Sequence, residues 1–193
     1  MIATKQLNID EVLKMLKSGA IKPQEPTADF LNVINKVDDE STISKWIAFL
    51  LNAKISREPL IKFAEYFDIE VDGNCEIDVM REYYLQNRRR IDVVIKTPNH
   101  WFVIENKINS DEQKGQTKDY REFIEAELKE TNELEGGKGN SKGAKYIYLK
   151  PNYNTSTPES EYFAVLTYGE LYDMWKGIDK SSFANQDNYV YFT

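Results

Sequence analysis

Apolar residues recur with two different periods along this chain, and the changes of period mark its elements. Ile9, Val12, Leu13 and Leu16 fall three to four residues apart, after the capping pair Asn8 and Glu11 and before Gly19, which predicts a first helix. Phe30, Leu31, Ile34 and Val37 predict a second over 27–37. Ile43, Trp46, Ile47, Phe49, Leu50 and Leu51 nearly encircle a third, Thr42 to Ala53, which is therefore expected to be buried. Pro59 opens a fourth, to about Phe67, with Leu60, Ile61, Phe63, Ala64 and Phe67 on its core face. After the turn Asp72-Gly73-Asn74 the period becomes two. A strand is expected over Cys75 to Leu85, and two more flank the break Thr97-Pro98-Asn99-His100 to complete a meander.

The pattern then returns to a helix, Asp111 to about Thr131. Asp111 and Glu112 suit its positive end, Gln113, Gln116 and Tyr120 share a face, and Phe123, Ile124 and Leu128 follow as apolar contacts. Glu135 to Gly143 is a glycine-rich loop without the G-x-x-x-x-G-K-S/T phosphate-loop signature. Lys145 to Lys150 is a strand that follows a crossover helix, so it should lie parallel to the one before that helix, by a right-handed connection. Phe163 to Leu166 is a further strand, Thr167 and Glu170 cap a helix to about Trp175, and Tyr189 to Phe192 is an edge strand. The order of elements makes this an α/β protein with a mixed central sheet. It reads as one domain, 1–193: a helical extension over 1–38, a core over 39–150 and a C-terminal elaboration over 151–193.

Composition narrows the function. A hydrophobic content of 41% supports a packed core rather than disorder, and no apolar run reaches the length of a bilayer span. MIATKQLNID lacks the apolar stretch of a secretory leader, and a single cysteine, Cys75, excludes an internal disulfide framework, so a cytoplasmic location and no membrane partner are expected. A lone histidine, His100, argues against a histidine-rich zinc site and reads as a turn residue. The net charge of −7 counts against a broad surface for nucleic-acid phosphates, so any such contact must be local. The best local patch is Arg88-Arg89-Arg90, with Lys96, Lys107, Lys114 and Lys118 nearby; the alternative is a solvated charge run.

The chemistry gathers in the hairpin. If its turn is centred between Pro98 and Asn99, residues that face each other have numbers summing to 197, and Asp92 sits opposite Glu105. Side chains alternate faces, so Lys107 joins Glu105 and Asp92, beside Val94, Trp101 and Val103, while Ile91, Val93, Ile95, Phe102 and Ile104 take the other face. Two opposed carboxylates repel, and a divalent cation with hard oxygen ligands would offset the repulsion. A lysine amine beside them could hold an anion or a water, which makes the trio suited to phosphodiester hydrolysis. The plain alternative is a surface salt bridge between Glu105 and Lys107.

R-I-D, then V-I-E-N-K-I, then E-Q-x-x-Q-x-x-x-Y, as these stand between Arg90 and Tyr120, resemble the PD-(D/E)XK nuclease superfamily, and most of all its bacterial branch with an ENKI core and a Q-x-x-x-Y helix. The series Glu40, Ser44, Ile47, Ala48, Phe49, Leu50, Leu51 is similar to that family's first helix, E-x-x-H-S-x-x-L-A-W-L-L, with Ile43 where a histidine is usual. The resemblance implies a restriction-endonuclease-like αβββαβ core. It implies a nuclease that uses Mg²⁺ or Mn²⁺ and acts on nucleic acid, with DNA ranked ahead of RNA and the choice left open, in a bacterial or phage defence or mobile-element setting. A homodimer follows by family analogy alone. Residue by residue it implies metal on Asp92 and Glu105, a water-assisting role for Lys107 and a supporting role for Gln116. Tyr120, Glu40 and Glu65 are additional candidates, and Arg88, Arg89, Arg90, Lys114 and Lys118 are expected to meet nucleic acid. Glu40 has an alternative role as a helix cap. A noncatalytic binding or regulatory module that retains the fold is the rival reading.

Overall fold

A computed structural model describes residues 38–134 and 142–187. The helices expected over 9–19 and 27–37, most of the glycine-rich loop and the strand at Tyr189 lie outside the described residues. Ten elements follow one another: α1 (Glu40–Leu50), α2 (Glu58–Tyr66), β1 (Asp78–Tyr84), β2 (Arg90–Lys96), β3 (His100–Asn106), α3 (Gln116–Leu134), β4 (Gly143–Lys150), β5 (Phe163–Thr167), α4 (Tyr168–Trp175) and a short 3₁₀ turn, Lys180–Ser182. The five strands form one sheet in sequence order. β1, β2 and β3 are antiparallel neighbours, and β4 and β5 add on in parallel. This mixed sheet with flanking helices is the restriction-endonuclease-like α/β core expected from the sequence.

Two apolar layers cover the sheet. Val93, Ile95, Phe102, Ile104, Ile147 and Leu149 point into one, against α1, α2 and α4. Val94, Trp101, Val103, Tyr146 and Tyr148 point into the other, against Tyr120, Ile124 and Leu128 of α3. The hairpin register matches the sequence reading: Val93 faces Ile104, Val94 faces Val103, Ile95 faces Phe102 and Lys96 faces Trp101. Ile91 departs from it. It packs with Val94 and Tyr120, the layer opposite to that of Val93. The strict alternation breaks at Asp92, because the β1–β2 ladder pairs Arg81 with Val93 and resumes only at Tyr83 with Ile91. Between them Glu82 takes a left-handed φ of 53°. Such a local break re-aims a side chain without ending the strand.

Other boundaries moved for physical reasons. The first strand starts at Asp78 rather than Cys75, since the amide of Cys75 is still closing the turn on the Asp72 carbonyl. α1 begins at Glu40, with the Asp39 carboxylate accepting from the Thr42 amide as its cap. Only one side of α1 is fully buried, through Ser44, Ile47 and Ala48. α3 begins at Gln116, not Asp111. Gly115 turns the chain with a φ of 69°, and Gln113 lies in the preceding loop. No helix among the described residues is long and apolar enough to cross a membrane.

Candidate active site

Asp92, Glu105 and Lys107 converge in a cleft of about 420 Å³ between α1, the β1–β2 hairpin and the start of α3. The regular β2–β3 ladder ends at Val93 and Ile104. One step further the Asp92 side chain replaces a backbone partner: its Oδ2 accepts from the Asn106 amide at 2.9 Å. Glu105 is 2% exposed. Its Oε1 accepts from Lys107 Nζ at 2.8 Å and from Gln116 Nε2 at 2.8 Å. Its Oε2 is buried and has no hydrogen-bond partner.

The first turn of α3 locks this carboxylate. Gln116 Nε2 also donates to Tyr120 Oη at 2.6 Å, and Tyr120 Oη donates to the Arg90 carbonyl at 2.6 Å. Gln116 Oε1 is taken by the Gln113 amide at 3.1 Å. Every polar atom of the Gln116 side chain is thus directed, and Tyr120 ties α3 to the strand that carries Asp92.

Glu40 enters from the start of α1. Its Oε1 accepts from the Ile108 amide at 2.9 Å and from Ser110 Oγ at 2.6 Å, which pins the β3–α3 loop to α1. Glu65 does not join it: the residue is exposed on α2 and does not line the cleft. Asn106, wholly buried, supports the arrangement from behind. Its Nδ2 donates to Ser44 Oγ at 3.2 Å and to the Glu40 carbonyl at 3.4 Å, and its Oδ1 accepts from Tyr168 Oη at 2.5 Å.

The electrostatics are those of charges taken out of water. Burial is the largest cause that raises both carboxyls, Asp92 to about 6 and Glu105 to about 8, and the Asp92 charge adds to the rise at Glu105. Burial alone would lower the Lys107 amine. The Glu105 carboxylate first, then Glu40 and Asp92, outweigh that and hold it above its ordinary value.

Of the expected nucleic-acid contacts, Arg88, Arg89 and Arg90 line the cleft, whereas Lys114 and Lys118 do not. Lys118 Nζ is paired with Glu159 at 3.2 Å, and Lys114 accepts Arg89 on its carbonyl at 2.8 Å. Lys96 lies at the other end of its strand, against Glu127 and the Trp101 ring. Arg81, Tyr84 and Lys45 line the cleft without having been expected there. The period-two pattern of β1 offered Arg81 and Tyr84 no special signal, since their place depends on the break at Glu82.

Asp92 and Glu105 offer hard oxygen donors, and the unpartnered buried Oε2 of Glu105 is the atom a divalent cation would satisfy. Among the described residues no three His, Cys, Asp or Glu side chains are grouped to hold a metal by themselves. A cation held by these two carboxylates would therefore draw its other ligands from backbone carbonyl and water. The family model of the PD-(D/E)XK nuclease superfamily matches residues 28–190. No curated protein and no solved structure matches the chain.

Proposed function

The chain belongs to the PD-(D/E)XK nuclease superfamily, and from that premise we propose that it is a metal-dependent nuclease hydrolysing phosphodiester bonds of nucleic acid, DNA above all, in the cleft of Asp92, Glu105 and Lys107. The observation that carries this reading is the Glu105 carboxylate, buried, held on one oxygen by Lys107 and Gln116 and unpartnered on the other. Such an orphan costs on the order of 1–3 kcal/mol or more in desolvation, which a bound cation would offset.

Asp92 and Glu105 would hold Mg²⁺ or Mn²⁺, which supplies charge neutralisation at the phosphate and a more acidic bound water. The chain's own groups do the rest. The Asn106 amide fixes Asp92, and Gln116 fixes Glu105, so the carboxylates are set before substrate arrives. Lys107, held on Glu105 Oε1 at 2.8 Å, would orient the attacking water and stabilise charge developing on the phosphate. Glu40 holds the loop that follows Lys107 and so sets where the amine can reach.

The rival reading, a noncatalytic module, draws on the absence of a three-residue ligand cluster among the described residues. A cleavage assay separates the two. Supercoiled plasmid, single-stranded DNA and RNA are incubated with Mg²⁺, Mn²⁺ or EDTA. Metal-dependent cleavage is expected, with Lys107→Ala slower by about 100-fold or more. Absence of both cleavage and metal binding would favour the binding module, whereas metal binding without cleavage of any of these would point to a missing partner or a specific target.

A further inference from the structure

Tyr84, the last residue of β1, is 70% exposed, yet it lines the same cleft as Asp92 and Glu105. An aromatic ring held open to solvent at the lip of a charged cleft gains little from folding, since most of its apolar area stays wet. Its neighbours are cationic. Arg90 is its cross-strand partner and lies against its hydroxyl. Arg88 stands in the β1–β2 turn at a left-handed φ of 67°, a conformation that costs a non-glycine residue on the order of 1 kcal/mol. The turn is closed by the Arg88 amide on the Leu85 carbonyl and the Leu85 amide on the Arg89 carbonyl, which sets Tyr84 on the strand just before it and Arg88 within it.

The pairing of charges is uneven. Arg89 is held by Asp119 at 2.7 Å, Arg90 by Glu82 at 3.2 Å and Lys107 by Glu105 at 2.8 Å. Arg81 and Arg88, both exposed, have no carboxylate partner among the described residues. Free guanidiniums beside an open aromatic face are the two parts of a single-strand site: cations follow the phosphates, and the ring stacks on an unpaired base.

We propose that Tyr84 is a specificity-determining residue that stacks on an unpaired base while Arg81 and Arg88 take the flanking phosphates, so that the substrate is a single-stranded or locally unpaired polynucleotide. This rests on the nuclease reading and narrows it. A base within a duplex already has both faces covered by its neighbours, so the Tyr84 ring can meet only one that has left the stack. A duplex-tracking protein also needs many phosphate contacts, which a chain of net charge −7 with few unpaired cations in the cleft does not offer.

The test is fluorescence anisotropy with the full chain and Ca²⁺, using a labelled 12-nucleotide DNA strand, the RNA of the same sequence and the blunt DNA duplex. Cleavage of the same three substrates is followed in Mg²⁺. The parent is expected to bind a single strand at least 10-fold more tightly than the duplex, and the DNA and RNA arms show which sugar it accepts. Tyr84→Ala is expected to lose about 5- to 150-fold in single-strand affinity, the range for one stacked base. Tyr84→Trp restores it, and Tyr172→Ala, exposed on α4 at 57%, changes nothing. Thermal melts confirm that the variants fold. If duplex is bound as tightly as single strand, or Tyr84→Ala binds as the parent does while metal-dependent cleavage persists, the stacking inference falls and the nuclease reading stands. If no polynucleotide is bound or cut, both fall.

Discussion

Asp92 and Glu105 are raised by burial to about 6 and about 8, against about 4 for carboxyls in an unfolded chain. The sign of the consequence follows from proton linkage. Between about pH 4 and pH 8 these two carboxyls bind more protons in the folded protein than in the unfolded chain, so their contribution to stability falls as pH rises. The contribution is fully present below about pH 4 and is lost as pH passes 6 and then 8. In EDTA the melting temperature is therefore expected to drop from pH 5 to pH 8. Asp92→Asn removes one of the two charges and is expected to stabilise the metal-free protein by about 1–3 kcal/mol at pH 8. A divalent cation binds the ionised carboxylates, so Mg²⁺ should raise the melting temperature more at pH 8 than at pH 5, and Asp92→Ala and Glu105→Ala should abolish the rise. A melting temperature flat from pH 5 to pH 8 in EDTA would contradict the assignment of both carboxyls to a desolvated site.

At the scale of elements, the site depends on how α1, β3 and α4 are tied together behind it. Asn106 makes that tie through Ser44, the Glu40 carbonyl and Tyr168. Asn106→Ala removes the acceptor of the Tyr168 hydroxyl and the donor to Ser44 Oγ, which keeps its own bond to the Glu40 carbonyl, and is expected to cost about 2–3 kcal/mol in urea unfolding. Thr167→Ala, which removes only the capping box of α4, is expected to cost about 1 kcal/mol. If Asn106→Ala costs no more than Thr167→Ala, the tie is not what joins these elements. Much of this level was legible in the sequence, because it follows from short-range rules. The hairpin register is set by its turn and by the two apolar faces, and the capping box of α4 by residues three apart. What escaped the sequence comes from long-range or backbone events. Asn106 shows only as a letter inside E-N-K-I, since its partners lie 62 residues away on either side. The break at Asp92, which sends Ile91 to the other layer, and the left turn at Gly115, which delays α3 to Gln116, depend on backbone torsions. Glu40 and Glu65 could not be separated before the packing of α1 and α2 was known.

For the whole molecule the balance of charge decides how nucleic acid can be held. The net charge of −7 repels a polyanion at long range, so attraction must be local, and the cleft gathers six basic side chains among four acidic ones. Three of the six are already paired within the protein, which leaves Lys45, Arg81 and Arg88 for phosphates. Each phosphate neutralised on a single strand contributes about −0.7 to the slope of log affinity against log salt, so three contacts imply a slope near −2. Titrations of labelled single strand across a range of NaCl, at fixed Ca²⁺, measure it directly. A slope steeper than about −5 would require a basic surface wider than the described residues contain. Because long-range steering is then weak, association should be slow and only mildly salt-dependent, and on the proposed reading a cation on Asp92 and Glu105 and a base stacked on Tyr84 would supply the affinity. On the proposed reading, charge, cleft and exposed aromatic point to one mode of action: a short stretch of unpaired strand gripped in the cleft that holds Asp92 and Glu105.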